Sequence, residues 1–223
     1  MRGLYAIVDL GVLAARHLDP VAFAGAILRV GPAALQLRAK DTPSREVLGL
    51  LRELAPMCHC AGVLLVANDR PDLALLAGCD IVHVGQTDMP IDRVRRITPG
   101  LGVGVSTHSI EQLDAALAAL PTYVALGPIF ETRTKIDPDP VVGVEILRAA
   151  SARAAAAGVP LVAIGGITRE RARELVGLVD AVAVVAELLP SRTGSDALRE
   201  VTTRAQTLHD MFAPAPVLAG AAR

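Results

Sequence analysis

Hydrophobic positions along the chain follow two alternating patterns. Eight short runs are almost continuously apolar and rich in β-branched residues, and they span residues 4–9, 33–38, 63–68, 80–85, 102–106, 123–127, 160–165 and 181–185. Between these runs lie Ala- and Leu-rich segments with helical spacing, such as DPVAFAGAILRV, SREVLGLLRELAPMC and SIEQLDAALAAL. Ser44 and Ser109 stand at the start of two segments and are predicted to cap them. The pattern therefore predicts strands that alternate with helices.

This alternation indicates an α/β protein with a parallel sheet. Continuous apolar runs are typical of strands buried on both faces, and strand–helix alternation produces right-handed βαβ units. Eight such units in about 210 residues predict a single-domain (β/α)₈ TIM barrel over residues 1–210. A doubly wound open sheet is the alternative that periodicity leaves open. Residues 211–223 are Ala- and Pro-rich and are predicted to form a flexible tail.

Composition and charge exclude several classes of function. The chain is 52% hydrophobic and 20% charged, which is typical of a globular protein. Its net charge of -1 and its lack of Trp argue against nucleic-acid binding. Neither a run of about 20 apolar residues nor a signal-peptide pattern is present, so no membrane partner is expected. Three cysteines suit a reducing cytoplasm, and Cys58-His59-Cys60 is better explained as a helix face than as a zinc site.

Polar and glycine residues gather at the predicted strand ends, where a TIM barrel carries its active site. Arg38, Lys40 and Lys135 supply positive charge there, and the Gly165-Gly166 pair lies where such barrels bind phosphate. Carboxylates beside phosphate-binding cations suit Mg²⁺, and they are supplied by Asp69 and Asp88. These residues predict a Mg²⁺-dependent barrel enzyme for a phosphorylated or diphosphorylated small molecule, without naming the reaction.

At these residues the sequence resembles the thiamine phosphate synthase family, from about residue 4 to residue 190. The motifs that carry the resemblance are QLRAK (36–40), ANDRPDLAL (67–75), DIVHVGQTDMP (80–90), GVST (104–107), YVALGPIFETRTK (123–135), AIGGI (163–167) and VAVVAEL (182–188). The family joins a pyrimidine carrying a CH₂-diphosphate to a thiazole phosphate and releases pyrophosphate. The resemblance thus implies a Mg²⁺-dependent transferase of thiamine biosynthesis.

The resemblance also implies residue roles. For the pyrimidine diphosphate it implies contacts from Gln36, Arg38, Lys40, Asn68, Ser106 and Lys135. For the thiazole phosphate it implies contacts from Thr132, Arg133, Thr134, Gly166, Val185 and Ala186. Asp69 and Asp88 are implied as the Mg²⁺ ligands, and Arg38, Lys40, Lys135 and Ser106 as the catalytic set. The expected partners are the phosphorylated pyrimidine and thiazole substrates, with a homodimer left open.

The sequence departs from the family at two positions. Ala186 stands where the family usually carries Ser, and Glu131 replaces a common Pro. The run FET at 130–132 resembles the related thiazole tautomerases, which remain the second interpretation. Pro128 and the two carboxylates favour the synthase. A non-catalytic barrel that binds thiamine phosphate is the third interpretation.

Several polar residues have simpler interpretations. His83 is predicted to be a packed or hydrogen-bonded structural histidine, and His108 to cap its helix or orient Ser106. Arg70 is expected to orient its own loop. Asp9 lies on the same rim and receives no role. A Schiff-base function for Lys40 or Lys135 is disfavoured, because no apolar pocket that would lower the lysine pKa is indicated.

Overall fold

The chain closes into an eight-stranded parallel barrel. In the computed structural model, which describes residues 1–132, 139–191 and 194–213, the strands pair in chain order and the eighth pairs with the first. The strands are β1 (Gly3–Asp9), β2 (Ala34–Arg38), β3 (Leu64–Asn68), β4 (Ile81–Val84), β5 (Gly102–Thr107), β6 (Tyr123–Leu126), β7 (Leu161–Ile164) and β8 (Ala181–Val184). The predicted TIM barrel is confirmed, and the open-sheet alternative is excluded.

Helices surround the barrel. They are α1 (Leu10–Ala14), α2 (Pro20–Leu28), α3 (Ser44–Ala61), α4 (Pro71–Ala77), α5 (Ile91–Ile97), α6 (Ile110–Ala118), α7 (Gly143–Ala157), α8 (Arg169–Ala172) and α9 (Ala197–Phe212). Helix α9 packs on α2 and β1, so the last helix covers the seam at which the barrel closes. Across the described ranges, none of the helices has both the length and the apolar character needed to cross a membrane.

Helix ends agree with the sequence prediction in one case and differ in another. The Ser109 side chain accepts a hydrogen bond from the Gln112 backbone N–H, which confirms it as the cap of α6. The Ser44 cap is wrong: α3 begins at Ser44 itself, after Pro43 in extended backbone. The Ser44 hydroxyl instead accepts a hydrogen bond from Arg70 at 2.8 Å. The predicted helical location of Cys58-His59-Cys60 within α3 is confirmed.

The last helix continues past the predicted end of the domain. Helix α9 ends at Phe212, two residues beyond the boundary placed at residue 210. Of the predicted tail, residues 214–223 lie outside the described part of the chain. Flexibility of the tail therefore stays a prediction.

The core has two parts, because side chains of a strand point alternately to opposite faces. One part fills the layer between the barrel and its helices. The other lies inside the barrel and consists of Tyr5, Ile7, Ala34, Val66, Ile81, Tyr123, Ala125, Val162, Ala181 and Ala183. Small residues at several of these positions leave room for two tyrosine rings, whose centroids lie 5.6 Å apart in an edge-to-face arrangement. The inside of the barrel is therefore a packed core that contains two phenol hydroxyls.

Gly104 is required by this packing. A Cβ atom at residue 104 would lie 2.1 Å from Cζ of Tyr123, so even alanine forces the ring or a strand to move. We expect Gly104→Ala to lower the free energy of unfolding by about 1–3 kcal/mol, as overpacking of a core does. Chemical denaturation measures the change.

Gly49→Ala provides a matched control for this prediction. Gly49 is an exposed residue of α3, and a Cβ atom added there would meet nothing within 4 Å. Because glycine disfavours a helix interior, this substitution is expected to raise the free energy of unfolding by up to about 1 kcal/mol. Equal effects of the two substitutions would contradict the packing explanation.

Candidate active site

Arg38 is held at the rim by a carboxylate on the neighbouring strand. Asp9 and Arg38 are register partners at the ends of β1 and β2. Arg38 Nη1 donates to Asp9 Oδ2 at 2.5 Å, and Asp9 Oδ1 accepts from the backbone N–H of Val12 at 3.0 Å. Asp9 is buried, so one carboxylate both caps α1 and orients the guanidinium. The position of Asp9 at a strand end was visible in the sequence, but its partner depends on register.

A carboxylate pair lies at the ends of β3 and β4. Lys40 Nζ lies 2.6 Å from Asp69 Oδ2. Asp88 Oδ2 accepts from the Gly85 backbone N–H at 2.7 Å, and the Asp88 carboxyl interacts with that of Asp69. Burial raises the pKa of Asp69; the Lys40 ion pair opposes the rise, and Asp88 adds to it. A cation between the two carboxylates would relieve the repulsion that Asp69 experiences from Asp88.

Asp69 is also held in an unusual backbone conformation. Its φ of 63° lies in the left-handed region, which aspartate tolerates better than most residues. Its backbone N–H donates to the His83 carbonyl at 2.8 Å, so the end of β3 is tied to β4 in this conformation. Left-handed backbone at a non-glycine residue costs on the order of 1–3 kcal/mol and persists where surrounding contacts enforce it. The turn after β3 therefore places the Asp69 carboxylate at the rim in a strained backbone conformation.

These residues fit Mg²⁺ better than a metal with an all-protein ligand cage. Within residues 1–132, 139–191 and 194–213, no group of three or more His, Cys, Asp and Glu side chains is arranged to hold a metal. Mg²⁺ is typically held by one or two carboxylates and takes its remaining ligands from water and substrate phosphates. The half-buried pair of Asp69 and Asp88 matches that requirement.

A chain of hydrogen bonds crosses the inside of the barrel. Gln36 Nε2 donates to the Tyr5 hydroxyl at 2.9 Å, and the hydroxyls of Tyr5 and Tyr123 lie 2.7 Å apart. The Tyr123 hydroxyl lies 2.7 Å from Nδ1 of His83, and Nε2 of His83 lies 2.7 Å from Oγ of Ser106. Two residues predicted to contact the same substrate, Gln36 on β2 and Ser106 on β5, are therefore joined through three others.

His83 has the structural character that the sequence predicted. Its ring is buried and stacks on Tyr123, with ring centroids 5.6 Å apart. Burial lowers the pKa of His83 to about 4, against a smaller opposing effect of Asp88, so the ring is neutral near pH 7. The expectation that His108 orients Ser106 is wrong: His108 Nδ1 contacts the Gly127 carbonyl, and its Nε2 lies 3.6 Å from Asp139. His83 is the ring that contacts Ser106.

The glycine pair after β7 packs against the loop that follows β6. Both glycines have positive φ, and a Cβ at Gly166 would lie 2.3 Å from the Glu131 carbonyl oxygen. Arg171 donates to the Gly166 carbonyl at 2.8 Å, while its guanidinium lies 4.9 Å from the centroid of the Phe130 ring. Any residue larger than glycine is therefore excluded at position 166, and Arg171 holds the Gly166 carbonyl in place.

The turn after β8 is held by ion pairs behind it. Glu187 pairs with Arg169 at the start of α8 and contacts Arg204 of α9 at 3.9 Å. Val185, which is half-buried, and Ala186, which is exposed, directly precede Glu187 and follow β8, the strand that pairs with β7. The network was missed from the sequence because its members lie on three separate elements.

The structure brings together most of the predicted site residues. Gln36, Arg38 and Lys40 follow one strand, and Asn68, half-buried, ends the next in register with His83. Thr132 is half-buried in the loop after β6. Arg133, Thr134 and Lys135 lie outside the described residues, so their roles stay predictions.

A closed parallel barrel whose ionisable and glycine residues meet at one rim defines a (β/α)₈-barrel enzyme. Comparison with known proteins gives the family. Residues 4–188 match the family described as thiamine monophosphate synthase. The chain therefore belongs to the thiamine monophosphate synthase family, a family of transferases.

Individual relatives agree with this assignment. The thiamine-phosphate synthase of Koribacter versatilis is 43% identical over 202 residues, which cover 88% of this chain and 94% of the relative. That of Methanoregula boonei is 37% identical and covers 94% of this chain and 95% of the relative. The solved thiamine phosphate pyrophosphorylase from Pyrococcus furiosus is 28% identical, with a TM-score of 0.78 over 94% of this chain and 96% of that chain.

Removal of the Asp9 carboxylate tests its two contacts. We expect Asp9→Ala to lower the free energy of unfolding by about 2 kcal/mol, because α1 loses its cap and a half-buried Arg38 loses its counter-charge. Asp9→Asn keeps an oxygen for the Val12 N–H and should lose roughly half as much. Thermal and denaturant unfolding measure both changes. Unchanged stability in Asp9→Ala would show that the two contacts contribute nothing.

Proposed function

We propose that this transferase condenses a pyrimidine carrying a CH₂-diphosphate with a thiazole phosphate to give thiamine phosphate and pyrophosphate. With the carboxylated form of the thiazole phosphate, CO₂ is released as a third product. The bond between the CH₂ carbon and the diphosphate oxygen breaks, and a bond from that carbon to the thiazole nitrogen forms. The observation that carries the proposal is the group of Arg38, Lys40, Asp69 and Asp88 at one rim of the barrel. Family membership supports the same reaction.

The diphosphate is proposed to lie against the ends of β2 and β3. Arg38 is pre-oriented by Asp9, and Lys40 is already at the carboxylate pair, so both cations are available to oxygens placed there. Gln36 and Asn68 add amide donors, and Lys135 is proposed to complete the set. Positive charge fixed at this position favours departure of the diphosphate, because negative charge grows on it as the bond breaks.

Asp69 and Asp88 are the proposed ligands of Mg²⁺. When bound, Mg²⁺ supplies further stabilisation of charge on the leaving diphosphate. The protein's part is to keep two carboxylates close together despite their repulsion, with the Asp88 carboxylate fixed by the Gly85 N–H.

The thiazole phosphate is proposed to bind at the turns that follow β6, β7 and β8. Gly166 offers a backbone position that no larger residue could occupy, and Val185 and Ala186 offer backbone amides. Thr132, Arg133 and Thr134 are proposed to add hydroxyl and guanidinium contacts. Ala186 has no hydroxyl, so the backbone must carry that contact.

Positioning is proposed to provide much of the catalysis. Both heterocycles are anchored by phosphates, so the thiazole nitrogen and the reacting carbon can be held close together. Such a reaction needs neither an enzyme nucleophile nor a general base.

The chain contains three cysteines without a disulfide among them, which suits the cytoplasmic location that we propose. A homodimer remains part of the proposal for its assembly.

The reaction is tested by product formation in vitro. Purified protein with both substrates and Mg²⁺ is expected to release pyrophosphate and form thiamine phosphate in equal amounts, and chelation of Mg²⁺ should abolish both. Chromatography and a coupled pyrophosphate assay measure the two products. Isomerisation of a thiazole carboxylate phosphate without Mg²⁺ or pyrimidine would instead identify a tautomerase. Binding of thiamine phosphate with no turnover would identify a non-catalytic barrel.

The carboxylate pair is tested by Asp69→Asn. We expect at least a hundredfold loss of kcat/KM but a change of less than about 1 kcal/mol in the free energy of unfolding, since relief of repulsion from Asp88 offsets loss of the Lys40 ion pair. In the wild type, Mg²⁺ with pyrophosphate should raise the melting temperature, and in Asp69→Asn it should not.

Asp114→Asn is the matched control for this test. Asp114 lies on α6, away from the rim, and pairs with Arg153 at 2.6 Å. This variant is expected to keep both activity and the Mg²⁺-dependent rise in melting temperature. A fully active Asp69→Asn enzyme would contradict the metal assignment.

A further inference from the structure

We propose that Tyr123 and His83 are positioning residues that present the Ser106 hydroxyl as a hydrogen-bond donor to an acceptor atom of the pyrimidine substrate. The proposal rests on the proposed function and names the chemistry of one contact in that site. It also gives a role to two buried polar side chains inside the barrel, Tyr123 and His83, neither of which has to touch substrate itself.

The direction of the hydrogen bonds is fixed from the Gln36 end. An amide nitrogen can only donate, so the Tyr5 oxygen accepts from Gln36 Nε2. The single hydroxyl hydrogen of Tyr5 must then go to its other neighbour, the Tyr123 oxygen. The single hydrogen of Tyr123 in turn goes to Nδ1 of His83. With Gln36 Nε2 facing Tyr5, any other order leaves a buried hydroxyl hydrogen without an acceptor, which costs about 1–3 kcal/mol.

This order selects one tautomer of His83. A neutral imidazole has one donor nitrogen and one acceptor nitrogen, so acceptance at Nδ1 places the proton on Nε2. Nε2 then donates to Ser106 Oγ, 2.7 Å away. Ser106 accepts from His83 and keeps its own hydrogen for another partner.

Packing prevents the chain of groups from rearranging easily. Tyr5, Tyr123, Gln36 and His83 are all buried. The Tyr123 ring lies against Gly104 on one side and is stacked with His83. Ser106 is half-buried at the end of β5, so its hydroxyl is one end of the hydrogen-bonded series, and Gln36 is the other end.

The consequence for recognition is a preference in ligand chemistry. A ring nitrogen or a diphosphate oxygen can accept from the Ser106 hydroxyl, whereas an exocyclic amine conjugated to the ring can only donate and leaves the hydroxyl hydrogen unpaired. A substrate analogue without an acceptor at this position should therefore bind less tightly, because the hydroxyl hydrogen would be left unpaired.

The tautomer is measured first, by nitrogen-15 NMR of the full chain labelled at histidine and without substrate. The His83 signals are identified by their absence in His83→Asn. We expect the Nε2-protonated tautomer in the wild type. A proton on Nδ1 would overturn the proposal, because Ser106 would then have to donate to His83 rather than to substrate.

Two hydroxyl deletions separate positioning from general destabilisation. Tyr123→Phe removes the group that donates to Nδ1, so we expect a mixture of His83 tautomers. Tyr5→Phe is the matched control: it deletes an equally buried hydroxyl but leaves Tyr123 able to donate only to His83, so the Nε2-protonated tautomer should persist. An unchanged tautomer in Tyr123→Phe, or its loss in both variants, would contradict the proposed order.

Kinetics then test whether Tyr123 acts through Ser106. Ser106→Ala and Tyr123→Phe are each expected to raise KM for the pyrimidine diphosphate about fivefold to tenfold, in line with loss of one hydrogen bond. The double variant should be no worse than Ser106→Ala alone, since residues that act through one another are not additive. The fold increases in KM caused by Tyr5→Phe and by Ser106→Ala should multiply in the double variant. Loss of the Tyr5 hydroxyl removes the acceptor of Gln36, which is proposed to contact substrate separately from Ser106. If the fold increases in KM of Tyr123→Phe and Ser106→Ala multiplied in their double variant, the proposal would be overturned.

These arms distinguish failure of the inference from failure of the proposed function. If the wild type formed no thiamine phosphate, the proposed function would fail while the tautomer of the substrate-free chain could still be measured. If the wild type were active and His83 carried its proton on Nδ1, the inference alone would fail.

Discussion

The parallel pairing of β8 with β1 is the contact on which the rest of the structure depends, because it turns an open sheet into a barrel with a single rim. Closure places the ends of β1 and β2, with Asp9 and Arg38, on the same ring as the glycine turn after β7. Helix α9 covers this seam, and its Arg204 reaches Glu187 in the turn after β8. The helix that covers the closure of the barrel therefore also contacts the turn proposed to bind phosphate.

Closure also creates an interior in which polar groups must find partners within the protein. Burial of unpaired hydroxyls, an amide and an imidazole would oppose folding, since each lost hydrogen bond to water must be replaced. The series from Gln36 to Ser106 gives each of these groups a partner inside the protein, and apolar residues fill the space around it. The same series makes the interior specific: an internal hydroxyl cannot be deleted without changing the partner of its neighbour.

Much of this architecture could be predicted from the sequence, because its signals are local. Each of the eight apolar runs became a strand whose ends lie within one residue of the predicted bounds, and the carboxylates at 69 and 88 lie together as expected. What the sequence did not reveal depends on pairing between distant segments. Asp9 received no role because its partner is set by the register of β1 with β2. His108 lies two residues from Ser106 along the chain and was expected to cap its helix or orient Ser106, whereas the histidine that contacts Ser106 is His83 on the neighbouring strand.

Gly104 and Tyr123 constrain each other in a way that bears on how the barrel could diverge or be redesigned. The phenol ring occupies the space that any side chain at residue 104 would need, so a larger residue at 104 requires a smaller one at 123. A smaller residue at 123 would free residue 104 but remove the hydroxyl between Tyr5 and His83. A redesigned interior must therefore replace a volume and a hydrogen-bonding group together. This double requirement is a barrier to stepwise substitution, and it would be expected to make the two positions vary as a pair.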